Sequence, residues 1–173
     1  MSNCDSKLSL PITPTFTAKL ATEHPASQSI IDTLKLQKHP EGGYFVETDR
    51  DQLRVPNPFP GHAANDSTRN ASTTIYYFLT PASSKGSFHR NKGRTVHTLH
   101  KGRGRYVIIH ADEADPGAKA RIETFVVGQN IAAGERLQWI VEGGKYKASY
   151  LLPDVDGGNE SDGLLISEVN HYL

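Results

Sequence analysis

After residue 38 the sequence shows scarcely any helical period. Short β-branched and aromatic runs follow one another instead, most of them parted by glycine-bearing turns. They are STTIYYFLT (72–80), SFHR (87–90), TVHTLH (95–100), RYVIIHA (105–111), RIETFVVG (121–128), ERLQWIVEGG (135–144), YKASYLLP (146–153) and GLLISEV (163–169). Such a series implies an all-β fold and leaves a sandwich or a barrel as the available architectures. No internal repeat points to a propeller or a solenoid. One short helix is expected from Ser27, capped by Ser27 or Ser29, with Ile30, Ile31 and Leu34 on one face. HPEGG (39–43) should end it, because the residue before a proline is pushed out of the helical region. Residues 1–25, rich in Ser, Thr and Pro, are expected to form a flexible arm, with 26–173 as a single barrel domain.

Composition narrows the partners. A chain of 173 residues can bury a sizeable core as one domain. Nineteen basic and nineteen acidic residues cancel, which argues against electrostatic capture of nucleic acid. The local cluster Lys101, Arg103 and Arg105 reads as a solvated strand end. No apolar run approaches the roughly 20 residues of a membrane helix, and the N-terminus lacks the apolar core of a secretory signal. A cytoplasmic protein is expected, in which the sequons at Asn65, Asn70 and Asn159 are coincidental. Cys4 is the lone cysteine, so an intrachain disulfide and a cysteine-based zinc site are excluded.

Strand parity locates candidate chemistry, because alternate side chains face opposite sides of a sheet. Ser87 and His89 share one face of their strand; Thr95, His97 and Leu99 share one face of the next. If the two strands form a hairpin across NKGR (91–94), His89 and His97 point into one interior. Two imidazoles there could bind a metal or shuttle a proton. The alternative is one hydrogen-bonded core histidine and one exposed. The stretch after Thr48, with Pro56, Pro58, Pro60 and Gly61, is long and irregular, as functional or mobile loops are.

HPEGGYF after a short helix, the STTIYYFL strand, FHR, the strand ending at Gly102, the LQWIVEGG turn and GLLISEV together carry a resemblance. Over about residues 30–169 the chain resembles the cupin superfamily, and most closely its cupin-5 group, a domain of unknown function with an RmlC-like jelly roll. The resemblance implies a cupin-type jelly-roll β-barrel with a short N-terminal helix. HPEGG would then lead into a strand lining the cavity mouth, with Tyr44 near the pocket and Glu41 at its rim. Alternatively, Gly42 and Gly43 only supply unusual backbone angles and Tyr44 only packs.

The four metal-ligand positions of metal-binding cupins fall here on Ser87, His89, Thr95 and Lys147, of which only His89 is a ligand type. His97 and Glu142 offer partial compensation. No metal and no cofactor are therefore expected, and the resemblance leaves the metal-independent branch typified by nucleotide-sugar epimerases. By that likeness the catalytic set is His89 as base, Tyr44 as acid and Lys147 as stabiliser of an enolate charge. The substrate-binding set is Glu41, Tyr76, Phe78, His97, Trp139, Tyr146 and Tyr150. The expected function is a small-molecule barrel, either an isomerase or epimerase of a sugar-like or oxygenated metabolite, or a metabolite-binding module without catalysis. A homodimer is expected through a sheet edge and the arm, since the chain stops at NHYL where relatives continue.

Overall fold

The computed structural model describes residues 12–16, 22–59 and 67–172. Helix α1 (Pro25–Leu34) begins two residues earlier than the serine caps suggested. Pro25 occupies its first position, where a fixed φ suits the helix and the missing N–H is not needed. His24 caps it, Nδ1 accepting from the Ala26 N–H at 3.3 Å. Ser27 is buried in the first turn instead. The helix also ends before HPEGG, because Lys35 turns left-handed at φ 56° and its N–H reaches back to the last turn.

Twelve strands follow: β1 (Gln37–Lys38), β2 (Tyr44–Arg50), β3 (Arg54–Pro56), β4 (Thr68–Asn70), β5 (Ser72–Leu79), β6 (Lys85–Arg90), β7 (Arg94–Lys101), β8 (Gly104–His110), β9 (Arg121–Val127), β10 (Gln138–Val141), β11 (Tyr146–Leu151) and β12 (Leu164–His171). A six-stranded sheet runs β1-β2-β5-β12-β7-β10 and a four-stranded sheet β6-β11-β8-β9. Every named strand pair is antiparallel. The two sheets pack their apolar faces together as a jelly-roll barrel. Tyr77, Leu79, Leu99, Trp139, Val141, Leu164 and Ile166 come from one sheet. Tyr106, Ile108, Phe125, Val127 and Leu151 come from the other. The all-β reading and the short N-terminal helix are both present. Among the described residues no helix is long and apolar enough to cross a membrane.

Two local expectations differ from the structure. β6 and β7 are not a hairpin: β6 pairs with β11, and β7 lies between β12 and β10. Residues 91–93 carry the chain from one sheet to the other. The irregular stretch after Thr48 is partly ordered as the β3–β4 ribbon, while Pro60 and Gly61 lie outside the described residues. Of the expected arm, residues 1–11 and 17–21 also lie outside them. Phe16 packs against the barrel core, and its carbonyl accepts from Ser84 Oγ at 3.1 Å.

The HPEGG turn joins the sheets. The His39 N–H donates to the Gly43 carbonyl at 2.9 Å, and the Gly42 N–H to the His39 carbonyl at 3.0 Å. The Gly43 N–H donates to Ser83 Oγ at 2.8 Å. Across the barrel, the Ser87 N–H at β6 donates to the Glu41 carbonyl at 2.6 Å. Tyr77 of β5 donates its hydroxyl to the Gly42 carbonyl at 2.9 Å. Gly42 sits at φ 102°, and a Cβ there would collide with the Lys85 carbonyl oxygen. Both glycines of the motif have positive φ, so the backbone, not composition alone, requires them.

Gly117 supplies a control, with φ 85° and open space around its missing Cβ. Gly117→Ala should cost only backbone strain, about 1–3 kcal/mol. Gly42→Ala adds a backbone collision and should cost clearly more in chemical denaturation. Equal losses for the two variants would show that the turn relaxes freely.

Candidate functional site

The side chains that alternate inward on β12 are Leu164, Ile166, Glu168 and Asn170, so an acid stands in an otherwise apolar row. Glu168 meets Lys147 of β11 and His97 of β7 inside the barrel. Lys147 Nζ lies 2.7 Å from Glu168 Oε2 and 2.8 Å from His97 Nε2. The side chains of His97, Lys147 and Glu168 are 0%, 1% and 7% exposed. An ammonium has protons only to give, so His97 Nε2 is the acceptor and the ring proton sits on Nδ1. That nitrogen faces the Trp139 main chain without a hydrogen bond of good geometry.

Aromatic rings seal this cluster from solvent. Trp139 stacks on the His97 ring with centroids 5.2 Å apart and planes 7° from parallel. Tyr106 meets both rings edge-on, at 5.3 and 4.7 Å. Burial therefore pushes the His97 imidazole below its ordinary value; the Glu168 charge opposes this and the Lys147 charge adds to it. Burial alone would raise the Glu168 carboxyl, but the Lys147 ammonium and then His97 hold it well below the usual carboxylate range. The result is an ionised carboxylate beside a neutral imidazole.

Above Glu168 a cavity of about 450 Å³ opens between the sheets. Phe45, Ile75 and Tyr77 form its apolar wall. Asn91 and Asn170 form a polar one: Asn170 Oδ1 accepts from Asn91 Nδ2 at 2.6 Å and from Thr95 Oγ1 at 2.9 Å. His39, Glu41 and His89 line its mouth. Glu41 Oε2 lies 3.0 Å from His89 Nδ1 and 4.0 Å from His39 Nδ1. His39 packs edge-on against Phe45 and Tyr77, at 4.8 and 5.8 Å between centroids. Burial lowers its imidazole; Glu41 opposes that shift, and the neighbouring His89 adds to it. Arg90 also reaches the cavity, with its guanidinium 5.2 Å from the Tyr146 ring centroid.

The residues expected from the sequence divide into three places. Glu41 and His89 line the cavity, while Lys147, His97 and Trp139 form the buried layer around Glu168. The others lie on outward faces. Tyr44 and Phe78 pack with Ile31 and Leu36 under α1, and Tyr76 lies against the same cluster. The Tyr44 hydroxyl donates to Glu23 Oε1 at 2.8 Å, and burial with the Glu23 carboxylate pushes its pKa up to about 12. Tyr146 meets Arg90, and Tyr150 packs with Val107 and Leu152. Sequence reasoning did not select His39, Phe45, Tyr77, Asn91, Glu168 or Asn170. Glu168 carried a usable signal, an acid in phase with Leu164 and Ile166.

The donor set does not fit a cupin metal. Ser87 is exposed, and Thr95 is committed to Asn170. Lys147 places its own ammonium on the two best interior donors, His97 Nε2 and Glu168 Oε2. Elsewhere His110, Asp112 and Glu113 gather ligand atoms within 4.8 Å. Arg121 and Lys145 already occupy those atoms: Arg121 at His110 and Glu113, Lys145 at Asp112 and Glu113.

Comparison with known proteins gives one family and several relatives. The family model Cupin_5, described as Cupin superfamily (DUF985), matches residues 28–171. The uncharacterized protein YML079W of Saccharomyces cerevisiae is 41% identical over 174 residues, covering 97% of this chain and 82% of its own. A hypothetical protein from Leishmania major superposes with TM-score 0.66 at 28% identity, over 83% of this chain and 80% of that one. Protein SO0799 from Shewanella oneidensis gives 0.63 at 22% identity, over 84% and 77%.

The buried cluster has a pH signature. Glu168 has a folded value below the ordinary 4.5, so its ionised form contributes stability above that pH and loses it as pH falls. His97 is also lowered, from 6.5, so protonation of the unfolded imidazole weakens folding from about that pH downward. The melting temperature should fall as pH drops from about 6.5, and Glu168→Gln should flatten the part below about 4.5. Lys147→Met should cost about 3–5 kcal/mol at pH 7, the usual loss when one partner of a buried pair is removed. A melting temperature unchanged between pH 7 and 4 would contradict this account.

Proposed function

The chain belongs to the Cupin_5 (DUF985) family of the cupin superfamily, and on that premise we propose that its cavity binds a small oxygenated, sugar-like metabolite and isomerises or epimerises it without a metal. One observation carries the reading: His89 at the cavity mouth is held by a carboxylate on one nitrogen only. Its Nδ1 lies 3.0 Å from Glu41 Oε2 and 3.1 Å from the Ser87 carbonyl, so in the neutral ring Nδ1 bears the proton and Nε2 keeps a lone pair. A buttressed imidazole of this kind is the usual form of a general base. The apolar wall of Phe45 and Tyr77 beside the amides of Asn91 and Asn170 suits a sugar, with one flat apolar face and hydroxyls around it.

Tyr77 supports the second reading, a barrel that holds a metabolite without turning it over. It is the tyrosine on the cavity wall, and its proton is committed to the Gly42 carbonyl. Burial, with the charges of Glu168 and Glu41, also raises its pKa, which makes it a poor acid. The tyrosine acid expected from the epimerase likeness is then missing from the described wall. We place the protein in the cytoplasm, where its lone cysteine stays unpaired.

His89→Ala should weaken binding or turnover of whatever metabolite mass spectrometry finds co-purifying, by about 100-fold or more in turnover, with the fold retained. A fall in melting temperature with ligand affinity unchanged would make His89 a structural residue.

We also propose a homodimer. β1, two exposed residues at the edge of the six-stranded sheet, leaves backbone groups that a second copy can pair. The segment preceding HPEGGYF adjoins that edge. Light scattering at micromolar concentration should give twice the chain mass of 19.0 kDa; a monomer mass throughout would refute the dimer.

A further inference from the structure

Two imidazoles line the cavity mouth, and one turn fixes them in opposite tautomers. The Glu41 backbone N–H donates to His39 Nδ1 at 3.1 Å, so that nitrogen must carry a lone pair. Neutral His39 therefore bears its proton on Nε2. Protonating Nδ1 would set an N–H against the Glu41 N–H, and burial already disfavours the charged ring. His89 is the reverse. Its Nδ1 faces two acceptors, Glu41 Oε2 and the Ser87 carbonyl, so neutral His89 holds its proton on Nδ1 and leaves Nε2 bare. Glu41 sets both rings, through its main chain for one and its carboxylate for the other.

We propose that His89 and His39 are the base and the proton-donating electrophile of one reaction, the 1,2-isomerisation of a neutral α-hydroxy carbonyl compound such as a free aldose or ketose. The proposal rests on the isomerase reading above and replaces its tyrosine acid with His39. His89 Nε2 takes the proton from the carbon bearing the hydroxyl. The C–H electron pair becomes the new C=C bond, and the carbonyl π pair moves onto oxygen. His39 Nε2–H gives its proton to that oxygen and regains one from the neighbouring hydroxyl, which becomes the new carbonyl. His89 returns its proton to the former carbonyl carbon, so both rings end as they began.

A neutral imidazole whose surroundings disfavour its charged form serves carbonyl polarisation in a known isomerase. Charge selects the substrate class. The carboxylates at the cavity are Glu41 and Glu168. The Lys147 ammonium is bound to His97 and Glu168, and the Arg90 guanidinium lies by the Tyr146 ring. Glu168 at the floor is answered by Lys147, so a phosphorylated or carboxylated sugar would meet the Glu41 carboxylate at the mouth, whereas a neutral sugar meets hydrogen-bonding groups.

Two measurements on the full chain test this. Long-range ¹H–¹⁵N NMR of the imidazoles at pH 7.5 should show His39 protonated on Nε2 alone and His89 on Nδ1 alone. Matching tautomers, or a charged His39, overturn the proposal without any substrate. The second measurement, in D₂O, is deuterium uptake at C2 of D-ribose, L-ribose, D-glucose and D-mannose and at C1 of D-fructose, together with aldose–ketose conversion of each probe. At least one should exchange or convert, and His39→Gln and His89→Gln should each slow it by about 100-fold or more, with melting temperatures reported for both. Exchange unchanged in His39→Gln overturns the role of His39 and leaves the isomerase reading standing. Neither exchange nor conversion of any probe by the unmutated protein overturns both.

Discussion

A lysine ammonium in the middle of a β-barrel is tolerable only if its charge is answered there. Lys147 is answered by the Glu168 carboxylate and by a neutral His97, with Trp139 and Tyr106 keeping water away. Neither charge would survive burial alone, since an unpaired buried ion costs several kcal/mol. The pair ties β11 of one sheet to β12 and β7 of the other, so its geometry fixes the spacing of the sheets beneath the cavity. It also fills the place a metal would take. The barrel's interior electrostatics are therefore complete in the polypeptide itself.

The turn at 39–43 does the corresponding work at the mouth. It spends both glycine positive-φ positions on bringing one peptide close to β6, which lets Ser87 and Tyr77 bond its carbonyls. The chain reversal thereby sets His39 and Glu41 beside His89, though His89 belongs to the opposite sheet. Positioning here is a property of the backbone, and side-chain packing only refines it. Such a site resists small substitutions on its rim better than substitution of Gly42.

How much of this was readable depended on whether a strand's two faces differ. In β7, Thr95, His97 and Leu99 alternate with more exposed neighbours, and parity placed His97 inside correctly. In β5 both faces are apolar, because α1 covers the outer one. Tyr76, Tyr77 and Phe78 then carry no mark of direction, and only Tyr77 turns to the cavity. In β11 the aromatics mislead: Lys147, Ser149 and Leu151 are buried while Tyr146 meets Arg90 outside. The β6–β7 connection reads as a hairpin because the four residues of NKGR (91–94) fit one. No local signal says that the chain changes sheets there. HPEGG was legible as a motif, but the tautomers it imposes follow only from which groups its backbone meets.

Phe16 packs against the core by Ser84, at the start of β6, while the cavity opens by His89 near that strand's end. Leu79, Leu151 and Leu164 fill the barrel between. Among the described residues the cavity thus opens at one end, beside His39 and His89. A molecule that enters past His39 and His89 leaves by the same passage, so one occupant bars the way to the next.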